Sequence, residues 1–319
     1  MRSRVTIVTI AASLLGSVLI LGQVPAQQDY PREVTVSGIP GVVAAGAKWE
    51  MAWWGLDNAD GIVGTPDGGV MFAQREVRRV RKVDPGGRSS VYLEETGGAG
   101  GLGIDYQGRV VATLRDKPSV GVLHPERRIL TDNYQGEPLA GAGDLVVQKN
   151  GGLYFSESQR RPSRRVHYVA PDGKMFTFGD VNANGIQLSP DEKTLYVTDG
   201  DWVVAFDILP DGTGRNRRNF AKLQGEGVSG DGMAIDANGR IYVSTHLGVQ
   251  VISPQGQYLG TIPSPRPALN VAFSGPDKRW LFITSRGAVD AQGKEHPVSP
   301  AKTIYKIPML SQGFHGRAK

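Results

Sequence analysis

A six-fold internal repeat constrains this chain more than any other feature. The segment IVGTPDGGVMFAQ from Ile62 returns as LGIDYQGRVVATL from Leu102 and LVVQKNGGLYFSE from Leu145. It returns again as IQLSPDEKTLYVTD from Ile186, MAIDANGRIYVSTH from Met233 and VAFSGPDKRWLFIT from Val271. The starts are separated by 40, 43, 41, 47 and 38 residues. Each copy reads as an apolar strand, a turn rich in Gly or Asp, and a second apolar strand. A period near forty built from such strands marks a propeller blade. A second pair of strands follows in the units, as in RVHYVAPDGKMFTFG and VQVISPQGQYLGTI. Four strands in each of six units predict an all-β chain, a six-bladed β-propeller with four-stranded blades around a central channel. The last unit stops at its third strand, Thr303 to Ile307, so the missing strand is expected from within Glu33 to Trp54.

Residues 1–26 read as a secretory signal peptide and residues 27–319 as the propeller. Arg2 and Arg4 precede an uncharged apolar run, Val5 to Leu21, and Val24-Pro25-Ala26 offers small residues for cleavage. The run is near the lower length limit for spanning a bilayer, which makes an uncleaved anchor the competing reading. Cleavage predicts an exported protein, periplasmic or secreted, free of the membrane. The chain has no cysteine, which excludes disulfides, thiolate metal sites and cysteine nucleophiles. Removing Arg2 and Arg4 from the 36 Lys and Arg leaves 34 against 31 Asp and Glu. So small an excess does not argue for a nucleic-acid partner. The densest basic run, REVRRVRK from Arg75 to Lys82, reads as a solvated outer strand.

In a propeller the residues just before each first strand converge at one mouth of the channel. Here they are Asp60-Gly61, Gly100-Gly101, Gly143-Asp144, Asn184-Gly185, Asp231-Gly232 and Leu269-Asn270. The second strands run back to that mouth and bring Gln74, Arg75, Arg115, Glu157, Asp199, His246 and Arg286 near it. Asp60, Asn184, Asp231 and Asn270 are hard oxygen donors, and histidines are scarce. That donor set suits one divalent cation, calcium first, with magnesium, manganese or zinc as alternatives. The competing reading is a ring of turns, because an Asx side chain before Gly commonly bonds nearby backbone N–H groups. His246 reads either as a neighbour of the cation or as a packing residue. Trp53 and Trp54 read as core. The GAGGLG string at Gly98–Gly103 precedes a channel strand rather than a helix, so it does not signal a dinucleotide site.

The stretches NANGIQLSPDEKTLYVTDG, GDGMAIDANGRIYVSTHLGVQVISPQG and RPALNVAFSGPDKRWLFIT resemble signature segments of the gluconolactonase, senescence-marker-protein and luciferin-regenerating-enzyme family. The resemblance runs over essentially the whole mature chain. It implies a six-bladed propeller with one divalent cation in its channel, held by Glu, Asn and Asp, and hydrolysis of lactones or related esters. By position it makes Asn184 and Asp231 the retained ligands, and Asp60 stands where the family has Glu. Asp is one methylene shorter, so the cation shifts or a water bridges. Glu157 matches an acidic residue near the family's substrate. Of a polar cluster before blade three only Asp144 survives, in Gly141-Ala142-Gly143-Asp144, and an Asn-Gly before blade two is Gly100-Gly101 here.

The leading expectation is therefore a metal-dependent hydrolase of a small-molecule lactone or ester. Asp231 or Asp199 would take a proton from the attacking water, and Asp144, Glu157, His246, Asn270 and Arg286 would contact substrate. The rival expectation, favoured by the lost polar residues, is a non-catalytic propeller that keeps the cation for stability and binds a ligand or partner.

Overall fold

The computed structural model describes residues 30–157 and 165–317. The segment read as a signal peptide lies outside the described residues. Among those described, six antiparallel four-stranded sheets stand side by side in sequence order, each a meander from the channel outward. Blade 1 runs Ile62–Gly64, Val70–Gln74, Arg79–Val83 and Ser89–Leu93, and blades 2 to 5 repeat the plan. Blade 6 takes Ala268–Ser274, Trp280–Arg286 and Lys302–Pro308 from the C-terminal side and Glu50–Gly55 from the N-terminal side. The closing strand lies at the end of the expected window, with Trp54 opposite Thr303 and a bulge between Met51 and Trp53.

Burial falls along each meander, as the apolar pattern requires. First and second strands such as Ile62–Gly64 and Val70–Gln74 are buried throughout, whereas the fourth strand Gly214–Lys222 is mostly exposed. The core is divided into clusters that sit between neighbouring blades. Val63 and Met71 pack on Leu102 and Ala112 between blades 1 and 2. Tyr154 packs with Ile186 and Val197 between blades 3 and 4. Ile62 and Phe72 meet Ala272, Phe282 and Ile304 where blade 6 returns to blade 1. Trp53, partly buried, packs against that last cluster with its ring tilted on Phe72. Removal of this apolar surface from water, repeated at each interface, is the main term holding the ring closed.

The turns at the far end of the first strands show what most repeat carboxylates do. Asp105 Oδ1 accepts from the backbone N–H groups of Gln107 and Arg109, and its Oδ2 accepts from Arg109 Nε at 2.6 Å. Asp236 makes the same three bonds to Asn238 and Arg240. These are turn-building acids, on the face away from the predicted site. The C-terminal segment covers this opposite face: Phe314 N–H donates to Ile235 O, and Arg317 donates to Leu188 O and Ser189 O. The basic run contributes Arg79–Val83, the third strand of blade 1, with Val80 and Val83 buried and the basic side chains between them half-buried.

Candidate active site

The glycines of the Asx-Gly pairs have a packing cause. A Cβ at Gly185 would lie 1.9 Å from the backbone oxygen of Asp231 in the next blade. One at Gly61 would lie 2.3 Å from Gly100 O, and one at Gly101 would lie 2.7 Å from Gly143 O. Adjacent channel strands thus approach closely where blades 1, 2 and 4 enter the mouth, and only glycine fits there, whereas blades 3 and 6 carry Asp144 and Asn270 at the same place. The glycine belongs to the fold, which leaves the preceding Asx side chain available for chemistry.

A set of buried hydroxyls fixes these entries. Thr113 donates to Gly143 O at 2.6 Å, Ser156 to Asn184 O at 2.6 Å, Thr198 to Asp231 O at 3.3 Å and Ser244 to Leu269 O at 2.8 Å. Each sits on the second strand of one blade and holds the mouth residue of the next. The hydroxyls also accept from their own blade, as Thr198 does from Gly185 N–H at 2.7 Å. Sequence reasoning missed this ring, although the hydroxyl recurs in the same register of VATL, YFSE, YVTD and YVST. Thr198→Val is expected to cost about 1–2 kcal/mol, because it leaves two buried backbone groups short of a partner. A thermal melt beside wild type checks this, and an unchanged melting temperature would contradict it.

Side-chain direction at the mouth comes partly from bulges. The pairing of blade 4 slips between Ala183 and Ile186, and that of blade 2 between Ala99 and Leu102. A bulge re-aims the residues it contains. Asn184 sits in one such slip and lines a cavity of about 620 Å³ at the channel mouth. Asp60, Asp144, Asp231, Asn270 and Arg286 line the same cavity. Asp144 is buried and accepts from Leu145 N–H, and Asn270 accepts from Val271 N–H through Oδ1. His246 lines an adjoining recess that shares Asn184, Asp231 and Arg286 with the main cavity.

Two expected site residues are placed elsewhere. Asp199 does not line the cavity: Oδ1 accepts from Asn182 N–H and Oδ2 from Arg217 at 2.8 Å. Glu157 is buried beside blade 3, where Oε1 accepts from Ala140 N–H and Oε2 lies 3.3 Å from His167 Nε2. Both acids brace the loops that lead into the mouth. Conversely, Lys302, Val298 and Ser299 join the lining without having been foreseen. Val298 and Ser299 come from the stretch between the second and third strands of blade 6, and Lys302 opens the third strand. That stretch carries a small ribbon, Ala288–Val289 with Glu295–His296, anchored by the buried Arg266 on Glu295 at 2.7 Å. The sequence signal was the long gap between Arg286 and Lys302.

Burial pushes the Asp60 carboxyl above the ordinary carboxylate range; the Arg115 charge pulls it down, Asp144 pushes it up, and Arg75 and Lys302 pull it down. A carboxyl held this deep is one whose charged form a bound cation would stabilise. No three His, Asp or Glu side chains form a cluster able to hold a metal among the described residues. The amide of Asn184 is thus needed beside Asp60 and Asp231. Two carboxylates and an amide from three blades, lining one cavity, suit a hard divalent ion of flexible coordination.

Residues 78–287 match the model of the SMP-30/Gluconolactonase/LRE-like region. The gluconolactonase of Zymomonas mobilis subsp. mobilis is 27% identical over 257 residues, which cover 68% of this chain and 72% of that protein. The regucalcin of Xenopus laevis is 31% identical over 227 residues, 65% of this chain and 70% of that protein. A solved gluconolactonase from Xanthomonas campestris superposes with a TM-score of 0.74 at 24% identity, over 89% of this chain and 98% of that one. That last likeness speaks for the propeller fold alone. With the family match covering most of the six blades, the chain belongs to the SMP-30/gluconolactonase/LRE-like family.

Proposed function

We propose that this protein hydrolyses a lactone or ester at the propeller mouth, supported by one divalent cation, calcium in first place. Asp60, Asn184 and Asp231 would hold it. The observation that carries this reading is the convergence of those three hard oxygen donors, from blades 1, 4 and 5, on one cavity. The relatives named gluconolactonase supply the substrate class. When bound, such a cation supplies Lewis-acid polarisation of the substrate carbonyl. Asp231 takes a proton from water as the water oxygen bonds to the carbonyl carbon. That proton passes to the ring oxygen as its bond to the carbonyl carbon breaks, leaving a hydroxy acid. Asn270, its Oδ1 bonded to Val271, offers its amide nitrogen as a donor to the substrate in the same cavity. With Asp199 bonded to Asn182 and Arg217, the base role is assigned to Asp231 alone.

The test is a panel of sugar and alkyl lactones and aryl esters, assayed with the purified protein before and after chelation and with calcium restored. Turnover of at least one lactone that falls on chelation and returns with calcium is expected. Absence of hydrolysis across the panel, with metal bound, would move the protein to the rival reading of a binding propeller. That reading has one structural observation in its favour: Gly101 and Gly143 contribute no side chain to the cavity they line.

A further inference from the structure

The mouth cavity is lined, among the described residues, by four basic side chains: Arg75, Arg115, Arg286 and Lys302. They come from blades 1, 2 and 6, which are neighbours in the closed ring. Asp144, Asn184 and Asp231 come from blades 3, 4 and 5. Asp60 and Glu76 are the acids on the basic side, and the charges of Arg115, Arg75 and Lys302 act on Asp60. The cavity thus has a basic half and an oxygen-donor half. Three of the four bases follow, or end, the second strand of their blade, so the repeat itself sets them in an arc.

By charge, Asp60, Glu76, Asp144 and Asp231 offset the four bases, and a divalent cation would leave the loaded site with two positive charges in excess. Glu76 is already paired with Arg75 at 2.6 Å. Arg115 is the most telling of the four. Its Nε is buried without a hydrogen-bond partner. A Cβ at Gly100 would lie 2.8 Å from that Nε, so the missing side chain at position 100 makes the room that Arg115 fills. With Nε enclosed against Gly100, the rest of the Arg115 guanidinium is what meets the cavity that this side chain lines. Part of this arc favours the ionised Asp60 carboxyl, and a neutral lactone would offer no charge to the rest.

We infer that the substrate carries an ionised carboxylate in addition to the carbonyl that is attacked, and that Arg115, flanked by Arg75, Arg286 and Lys302, receives it. The planar guanidinium fork suits a carboxylate in two-point contact. This specificity rests on the hydrolase reading above, with the reacting carbonyl on the side of Asn184 and Asp231 and the free carboxylate across the mouth. The substrate is then a lactone or ester of a dicarboxylic acid, and the product is a dianion.

Two measurements on the full mature protein test this. The first is calorimetric binding of D-glucarate, D-gluconate and 6-phosphogluconate, open chains that differ at the far end in carrying a carboxylate, a hydroxyl or a phosphate. Glucarate is expected to bind at least ten-fold tighter than gluconate, and Arg115→Gln to bring the two within about two-fold, with its melt showing a folded protein. Equal binding of glucarate and gluconate to wild type, or an equal loss of both in the variant, would overturn the inference. Tighter binding of 6-phosphogluconate than of glucarate would overturn the carboxylate assignment. The second compares kcat/KM for glucaro-1,4-lactone and glucono-1,4-lactone, which differ only in carboxylate against hydroxymethyl. The carboxylated lactone is expected to be favoured at least ten-fold, and the ratio to fall in Arg115→Gln. Preference for the neutral lactone overturns the inference and leaves the hydrolase reading standing. Glucarate preference in binding with no lactone hydrolysed overturns the hydrolase reading, and with it a substrate role for the anion site.

Discussion

Asp231→Ala is expected to lower kcat/KM on any lactone the protein hydrolyses by about a thousand-fold or more. One substitution would remove a cation ligand and the proton acceptor together, and losses of that order follow removal of a single preorganised electrostatic group. The backbone around the position should survive, because Asp231 N–H donates to Ser244 O and Asp231 O accepts from Thr198, neither through the side chain. Asp231→Asn separates the two roles: it retains one oxygen ligand and removes the base. That variant should keep more of the bound metal than alanine does while losing turnover as severely. Activity within ten-fold of wild type in Asp231→Ala would remove Asp231 from the mechanism.

The largest stability effect is expected at Gly185. A methyl there would fall 1.9 Å from Asp231 O, inside any tolerable contact, and the atom it meets is backbone held by Thr198. The blades would have to move apart where the ring is tightest. Gly185→Ala should destabilise by about 3 kcal/mol or more, the upper range for overpacking, and lower the melting temperature by roughly 6–12 °C. Gly173→Ala is the comparison. Gly173 has a φ of +86° and open space around it, so only backbone strain, about 1 kcal/mol, is expected. Equal losses in the two variants would mean that blade contact is not what requires glycine at the mouth.

The repeat made the propeller legible because each blade must present the same two buried strands to its neighbours, and the period survives loop variation. It also placed Asp60, Asp144, Asn184, Asp231, Asn270 and Arg286 on one cavity, since equivalent positions in a closed ring share a mouth. Position in the repeat does not reveal what else competes for a side chain. Asp199 is taken by Arg217, on the outer strand of its own blade, and Glu157 by Ala140 and His167. Those partners depend on strand register and loop path, which hydrophobic periodicity leaves open. The starts of the channel strands in blades 2 and 4 were likewise blurred: bulges at Ala99–Leu102 and Ala183–Ile186 interrupt the apolar pattern while pairing continues. Lys302 went unnoticed because it belongs to a third strand, which it opens at the mouth opposite Arg286.

The most direct measurement is the metal content of the purified protein, taken beside Asp231→Ala. One equivalent of calcium or another divalent ion in wild type, lost in the variant and on chelation with a fall of several degrees in melting temperature, is the predicted result. A wild-type protein that holds no divalent ion when calcium is supplied, and melts identically with chelator, would contradict it. The mouth residues would then be turn-forming groups and partners of the surrounding arginines, and hydrolysis by a cation-supported site would have to be abandoned.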